Sequence, residues 1–426
     1  MNKHSPVPSI LTEVAAPGSR QLSDGAPAVD GTGRAVLRWT TPPGLEEVSV
    51  VEARALLSRS PTTAGGAHRF EEKLLGLDGH CAVATTAEPG AATEVCRAMR
   101  SAYHLIRHRG HFILPRPHME VSAATVAEKI RSISLPELGG GARSFRVSCT
   151  RTGTHAFRSP DIEREVGSVV VEMLNPPVDL ERYEVNLRVD IVEETVLVGI
   201  QLTGTALDKR YPWVYRPRVT LRTTVAYGMI ALARRTLGES PEEAALPANP
   251  RAGGGAAVGA AVGAAADTPL HTLLDPFCGS GTIPIEAASL LPAAKVLAAD
   301  RDEEAVAGTR ANAEAAGVAV SIDLKAIDAR DLDEHYPAES VDAIVTNPPF
   351  GIRLHREADF YRLYSRFLTT AGLILRRGGA IVILVGKKRG LFNRVLREVG
   401  LYDTIEVRII EIGGVYPGLF VLRKRS

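Results

Sequence analysis

Val341-Asp342-Ala343-Ile344-Val345-Thr346 runs into Asn347-Pro348-Pro349-Phe350-Gly351, and the reading of that junction decides the fold. The apolar run is short enough for a buried strand. Asn-Pro-Pro-Phe then stands at the strand's carboxyl end, where open α/β sheets gather their ligand sites. The Asn347 carboxamide oxygen and the Pro348 carbonyl are both acceptors, and neither proline has an N–H to satisfy them locally. Each proline fixes its own φ and restricts the residue before it, so the loop is stiff. Two rigid acceptors and the Phe350 ring suit an exocyclic amine on a flat ring, which donates two N–H groups and offers a π face. A Pro-Pro turn that merely ends a strand is the plainer alternative.

Outward from this junction, from His271 onward, the rhythm is strand, turn, helix. Thr272-Leu273-Leu274 leads into Asp275-Pro276-Phe277-Cys278-Gly279-Ser280-Gly281-Thr282 and then a helix. Val296 to Asp300 is a second strand, and Ile322 to Ile327, closing in Asp328, is a third. Ala380 to Val385 is a fifth strand, and Ile405 to Ile410 with Val415 to Leu422 form a hairpin around Gly413-Gly414. The alternation predicts a doubly wound parallel sheet over 269–426.

One nucleotide-like ligand accounts for the strand-end residues together. Gly279 and Gly281 let backbone approach the ligand, and Asp300 can accept both ribose hydroxyls, with Arg301 beside it. Asp328, followed by Ala329, is placed to meet an adenine edge. The turn is not Gly-x-Gly-x-x-Gly, Asp275 and Phe277 intrude where a pyrophosphate needs room, and no lysine starts the helix. An adenosine without phosphates fits better, and S-adenosylmethionine is the expected cofactor, with Asp275 near its charged amino acid end. For each acid alone, a helix cap or an ion pair is the plainer reading.

Lys and Arg total 50 against 49 Asp and Glu, a net charge of +1, so no global field draws the chain to nucleic acid or membrane. Any RNA surface must be local. Cys81, Cys96, Cys149 and Cys278 form no Cys-x-x-Cys pair, which argues against disulfide scaffolds and structural zinc, and no metal is expected. No run is long enough to span a membrane, and Met1 to Val14 lack a signal-peptide core, so a cytoplasmic protein is expected.

Residues 1–34 read as a disordered tail, and Ala35 to Thr40 as a strand running into a helix. Arg97 to His118 is a basic run, which either contacts phosphates or forms the solvated face of a helix. Phe145, Val147 and Cys149 alternate as a half-buried strand. Ser159-Pro160-Asp161 reads as an N-cap, a first-turn proline and a dipole-favoured acid, opening a helix whose apolar face carries Ile162, Val166 and Val170. Val185 to Ile191 and Val196 to Leu202 alternate as two more strands. The arginines at 216, 218 and 222 suit a polyanion path or structural ion pairs. Ala252 to Ala266, only Ala, Gly and Val, read as a flexible insertion.

The segments Asp275 to Thr282, Asp300, Asp328-Ala329 and Thr346 to Gly351 resemble the class I methyltransferases, and more narrowly the THUMP-domain guanosine-N2 tRNA methyltransferases. Phe145 to Gly167 is similar to that family's THUMP signature, and Leu37 to Glu46 to its amino-terminal ferredoxin-like domain. The resemblance implies a ferredoxin-like α+β domain at 35–138 and a THUMP α/β domain at 139–206. A linker and helix at 207–239, a flexible insertion at 240–268 and a Rossmann-like class I methyltransferase domain at 269–426 would follow. It implies that Asn347, Pro348 and Phe350 orient a guanine amine. S-adenosylmethionine would lie against Asp275, Phe277, Cys278, Gly279, Ser280, Gly281, Thr282, Asp300, Arg301, Asp328, Ala329 and Asn347, with Thr220, Arg222 and Thr224 carried over from the family. Arg151, Arg158, Arg216, Arg218, Lys387 and Lys388 would meet RNA. The implied partner is tRNA, held at its 3′ end by the THUMP unit and modified in the acceptor stem, by a monomer. A ribosomal RNA guanosine methyltransferase and a non-catalytic RNA-binding protein with a methyltransferase shell are the alternatives. An Asn-Pro-Pro-aromatic loop also fits adenine N6 or a glutamine amide, but neither accounts for the THUMP-like module.

Overall fold

The computed structural model describes residues 35–139, 143–247, 270–349, 357–386 and 388–425. The expected tail at 1–34 and the insertion's Ala252 to Ala266 run lie outside the described residues.

Strands β1 (Ala35–Thr40), β2 (His68–Glu71), β3 (His80–Thr85), β4 (His104–Ile113), β5 (Phe145–Thr152), β6 (Val185–Val192) and β7 (Thr195–Gln201) form one sheet. Its order is β2-β3-β1-β4-β7-β6-β5. It carries helices α1 (Glu46–Arg59), α2 (Pro89–Cys96), α3 (Ala123–Lys129) and α4 (Ser159–Leu174). The sheet runs unbroken across the expected division at 138/139, because β4 pairs antiparallel with β7. Only β5 and β6 are parallel, which requires a crossover, and α4 supplies it. Leu37 and Trp39 pack with Val50, Ala53 and Leu57 of α1, while Val147 and Leu187 pack with Ile162, Val166 and Val170 of α4.

Three expectations change here. The cap of α4 is Arg158 rather than Ser159, because the Asp161 carboxylate accepts from the Arg158 amide at 2.8 Å. The basic run 97–118 is centred on a strand, not a helix. Three of its cations are internal links: Arg107 and Arg109 pair with Glu137, and Arg100 with Glu286. Finally, β6 is buried on both faces. Asn186, Arg188 and Asp190 are enclosed along with its apolar residues. Asp190 pairs with Arg38 at 2.6 Å and with Arg188 at 2.8 Å. The two guanidiniums hold the enclosed Asp190 carboxyl well below the usual carboxylate range.

Helices α5 (Thr223–Thr236) and α6 (Pro241–Ala244) precede the second sheet. That sheet comprises β8 (Thr272–Asp275), β9 (Lys295–Asp300), β10 (Ile322–Ala326), β11 (Val341–Thr346), β12 (Leu375–Val385), β13 (Tyr402–Ile409) and β14 (Gly418–Lys424). Helices α7 (Thr282–Leu290), α8 (Glu303–Ala315), α9 (Leu332–His335), α10 (Glu357–Ile374) and α11 (Arg389–Val399) lie between the strands. The order β10-β9-β8-β11-β12-β14-β13 is parallel through β12 and antiparallel beyond it. Strand order therefore reverses between β8 and β11, and loops diverging there leave a crevice at the carboxyl edge. Val225, Met229 and Ile230 of α5 fill one face against Val345 and Val382, so α5 is a core element of this sheet. Phe367, Phe392 and Phe420 fill the other.

Buried polar contacts join the sheets. Arg100 donates to Glu286 of α7 at 2.8 Å and to Ser289 at 2.8 Å, and the Tyr211 hydroxyl donates to Glu286 at 2.9 Å. Glu47 of α1 pairs with both Arg235 of α5 and Arg408 of β13. No helix among the described residues is long and apolar enough to cross a membrane. Nor do three His, Cys, Asp or Glu side chains among them converge as a metal site.

Candidate active site at the strand reversal

Thr346 and Asp275 end the two strands that flank the reversal, and they touch: the Thr346 hydroxyl donates to Asp275 at 2.7 Å. The Phe277 amide donates to the same carboxyl oxygen at 3.2 Å. Asp275 is fully buried, and burial pushes its carboxyl up to about 7 despite these two donors. The Cys278 amide donates to the Ala299 carbonyl at 2.9 Å, which ties the turn to β9. The Cys278 thiol is buried and its pKa is raised by burial, so it packs rather than reacts. Gly281 caps α7 with φ +86°, a conformation that costs a side-chain-bearing residue about 1 kcal/mol or more. Any Cβ there would also sit 2.8 Å from the Thr309 methyl. Ser280 and Thr282 are buried, with their hydroxyls 3.3 Å apart.

Asp300, at the end of β9, accepts from the Gly279 amide at 3.0 Å and the Asp302 amide at 3.1 Å. Burial raises its carboxyl, against those two amides. Arg301 beside it is exposed. Asp328 follows β10, and Arg330 grips it with Nε at 2.9 Å and Nη2 at 2.7 Å, which lowers its carboxyl. An adenine amine would share oxygens that Arg330 already holds. Ala329 is buried beside it. On β11's end, Pro348 is buried and Asn347 half-buried. The Asn347 Oδ1 atom is shut off from solvent, and nothing among the described residues donates to it. An enclosed acceptor without a donor costs about 1–3 kcal/mol, and a ligand N–H would relieve that cost. Phe350 lies outside the described residues.

Asp275 and the 277–282 turn thus share one carboxyl edge with Asp300, Arg301, Asp328, Ala329, Asn347 and Pro348. The carried-over trio lies at and just before the start of α5. Thr220 is exposed, Thr224 is buried within α5, and Arg222 caps α5. The Arg222 guanidinium pairs with Asp208 at 3.2 Å and lies 5.0 Å from the centre of the Tyr103 ring. Its geometry joins α5 to the first sheet.

Of the expected RNA contacts, Arg158, Arg216, Arg218 and Lys388 face solvent. Arg151 is held in its own loop by the Gly153 carbonyl and His155, and Lys387 lies outside the described residues. A polar cleft of ≈ 350 Å³ opens on the first sheet, lined by His104, Arg146, Ser148, Asn186, Arg188 and Lys209. Arg146 stacks on Tyr183 at 4.8 Å. Sequence reasoning missed this basic cleft, since its cations come from separate segments. It also missed Asn312, an amide buried in an Ala-rich helix. The spacing of small residues at Ala305, Gly308 and Thr309 before Asn312 was the available signal, since it marks a helix face that accepts close neighbours.

An RMKL-like methyltransferase domain matches residues 259–417 and a THUMP domain matches residues 121–201. A tRNA (guanine(6)-N2)-methyltransferase of Thermus thermophilus is 33% identical over 91% of this chain and 99% of its own length. An Archaeoglobus fulgidus protein of the same name is 28% identical over 66% of this chain and 69% of its own length. The crystal structure of TrmN from Thermus thermophilus superposes with a TM-score of 0.65 at 31% identity, covering 91% of this chain and 99% of that one. The full-length match, together with a class I crevice and a THUMP unit, leads to one conclusion: the chain belongs to the tRNA (guanine(6)-N2)-methyltransferase family.

Proposed function

We propose that the protein methylates the exocyclic N2 of a guanosine in the tRNA acceptor stem, at the position its relatives' names give as 6, using S-adenosylmethionine. The enclosed Asn347 Oδ1 at the strand reversal, to which nothing among the described residues donates, carries the reading, because it is an acceptor waiting for an N–H. Bound S-adenosylmethionine supplies a methyl activated by a sulfonium. Asp275 is suited to the donor's ammonium, Asp300 to its ribose hydroxyls, and the backbone of Cys278 to Gly281 to close approach. The turn carries the Asp275 carboxylate and has Pro284 where Gly-x-Gly-x-x-Gly needs its third glycine, which disfavours a pyrophosphate-bearing ligand.

Asn347 Oδ1 and the Pro348 carbonyl accept the two amine protons and hold the nitrogen lone pair toward the crevice; Phe350 stacks on the base. Asn347 cannot take up a proton, so the chain contributes orientation rather than general-base catalysis. Reaching N2 in a paired stem requires the base to leave the stack. The residues at 35–138 and 139–206 form the RNA-holding part, and 269–426 the transfer part. The basic cleft around Arg146, Arg188 and Lys209 supports a grip on the RNA 3′ end, with Arg158, Arg216, Arg218 and Lys388 as further phosphate contacts. The protein acts as a cytoplasmic monomer.

Incubation with methyl-labelled S-adenosylmethionine and bulk tRNA or rRNA, followed by digestion to nucleosides, tests the reading. Label in N2-methylguanosine from tRNA is expected; label only in rRNA, or only in another nucleoside, would refute it.

A further inference from the structure

Asn312 is fully buried in α8, and all four of its hydrogen-bonding positions are used. Its Oδ1 accepts from the amides of Val214 and Tyr215 at 2.9 and 2.8 Å. Its Nδ2 donates to the carbonyls of Tyr215 and Ser280, both at 2.9 Å. One side chain therefore ties the strap before α5 to the turn after β8, segments more than sixty residues apart in sequence. One helical turn earlier, Gly308 receives the Tyr215 ring so closely that a Cβ would lie 2.2 Å from it. Between them Thr309 donates to the Gly279 carbonyl at 2.9 Å. A single face of α8 thus holds the strap on one side and the glycine turn on the other. The strap continues into Arg216 and Arg218, both exposed, and its other end is anchored by the Tyr211 bond to Glu286.

From this geometry we infer that Asn312 and Gly308 are positioning residues that couple RNA held on the strap to methyl-donor affinity at the turn. The inference rests on the proposed function, since it takes the turn as the donor site and the strap arginines as RNA contacts. Displacing the strap pulls on the Ser280 carbonyl through one amide group, and so alters the backbone that the donor approaches. Coupling of this kind is reciprocal: RNA tightens the donor and the donor tightens RNA by the same factor.

The test measures the dissociation constant of S-adenosylhomocysteine for the full chain by calorimetry, with and without saturating unfractionated tRNA. The wild-type chain is expected to bind about five-fold or more tighter with tRNA. Gly308→Ala, which favours the helix but strikes the Tyr215 ring, should reduce that factor to below about two-fold while still binding S-adenosylhomocysteine alone. Adding Tyr215→Ala restores the space and should restore the factor. If Gly308→Ala does not fold, Asn312→Asp replaces it, because it keeps the acceptors for the strap amides and drops the donors to the two carbonyls. Wild-type binding of both ligands with no coupling, or full coupling in the displaced-strap variant, overturns the inference alone. Failure of the wild type to bind S-adenosylhomocysteine or tRNA overturns the proposed function and the inference with it.

Discussion

Asp275 offers the most discriminating test of the donor site. Its carboxyl is pushed from 3.8 up to about 7, chiefly by burial. A displacement of about three pH units corresponds to on the order of 4 kcal/mol. Between pH 4 and 7 the folded chain keeps this proton while the unfolded chain has released it. Stability from this group therefore falls as pH rises through that window and is lowest above it. Asp275→Asn removes the burden, so the ligand-free variant should resist urea better than wild type at pH 8, by up to about 4 kcal/mol.

Ligand binding should respond in the opposite sense. A donor ammonium beside Asp275 favours the carboxylate, so binding must expel the proton wherever the free protein holds it. Calorimetric titration with S-adenosylhomocysteine from about pH 5.5 to about 8.5 should show affinity rising roughly tenfold per pH unit below 7 and levelling above it. Asp275→Asn should flatten that profile and bind more weakly at pH 8. Affinity that is independent of pH in the wild type, or that tightens as pH falls, would refute the assignment of Asp275 to the ammonium.

Three further outcomes follow from particular residues. Asn347→Ala should cut methyl transfer by about 10²-fold or more while leaving tRNA affinity nearly unchanged, by label incorporation and filter binding; equal turnover would remove Asn347 from the mechanism. His80, His104 and His108 are held down to about 4, 4 and 3, chiefly by burial. The unfolded chain takes up protons below about 6.5 and the folded chain does not, so urea midpoints should fall as pH drops from about 6.5 toward 4. A His108→Gln variant should show a shallower fall. Glu286→Gln leaves Arg100 and Arg210 facing a neutral group in a buried joint, and should destabilise the chain by about 3–5 kcal/mol in urea unfolding; a loss under about 1 kcal/mol would show that the joint relaxes into water.

The methyltransferase fold and the core of its crevice were legible because they rest on local rules. The strand at 341–346 announces itself by an apolar run, its prolines bar continuation, and Gly281 marks a left-handed turn. The segments at 185–191 and 196–202 were equally plain as strands, although not the enclosure of β6 on both faces. Acids at successive strand ends share a carboxyl edge because parallel strands, once ordered, leave no other arrangement. Long-range partnership has no such local signature. Whether Arg107 meets phosphate or Glu137, and which surface gathers Arg146, Arg188 and Lys209, depend on which distant segments fold beside them. The same holds at the end of the 341–346 strand: the sequence shows an acceptor there, but only the packed chain encloses Asn347 Oδ1 with no donor among the described residues and buries Asp275 enough to move its proton. Desolvation and pairing energies are set by neighbours in space, so residue types and spacing determine the candidate groups, and tertiary structure decides their state.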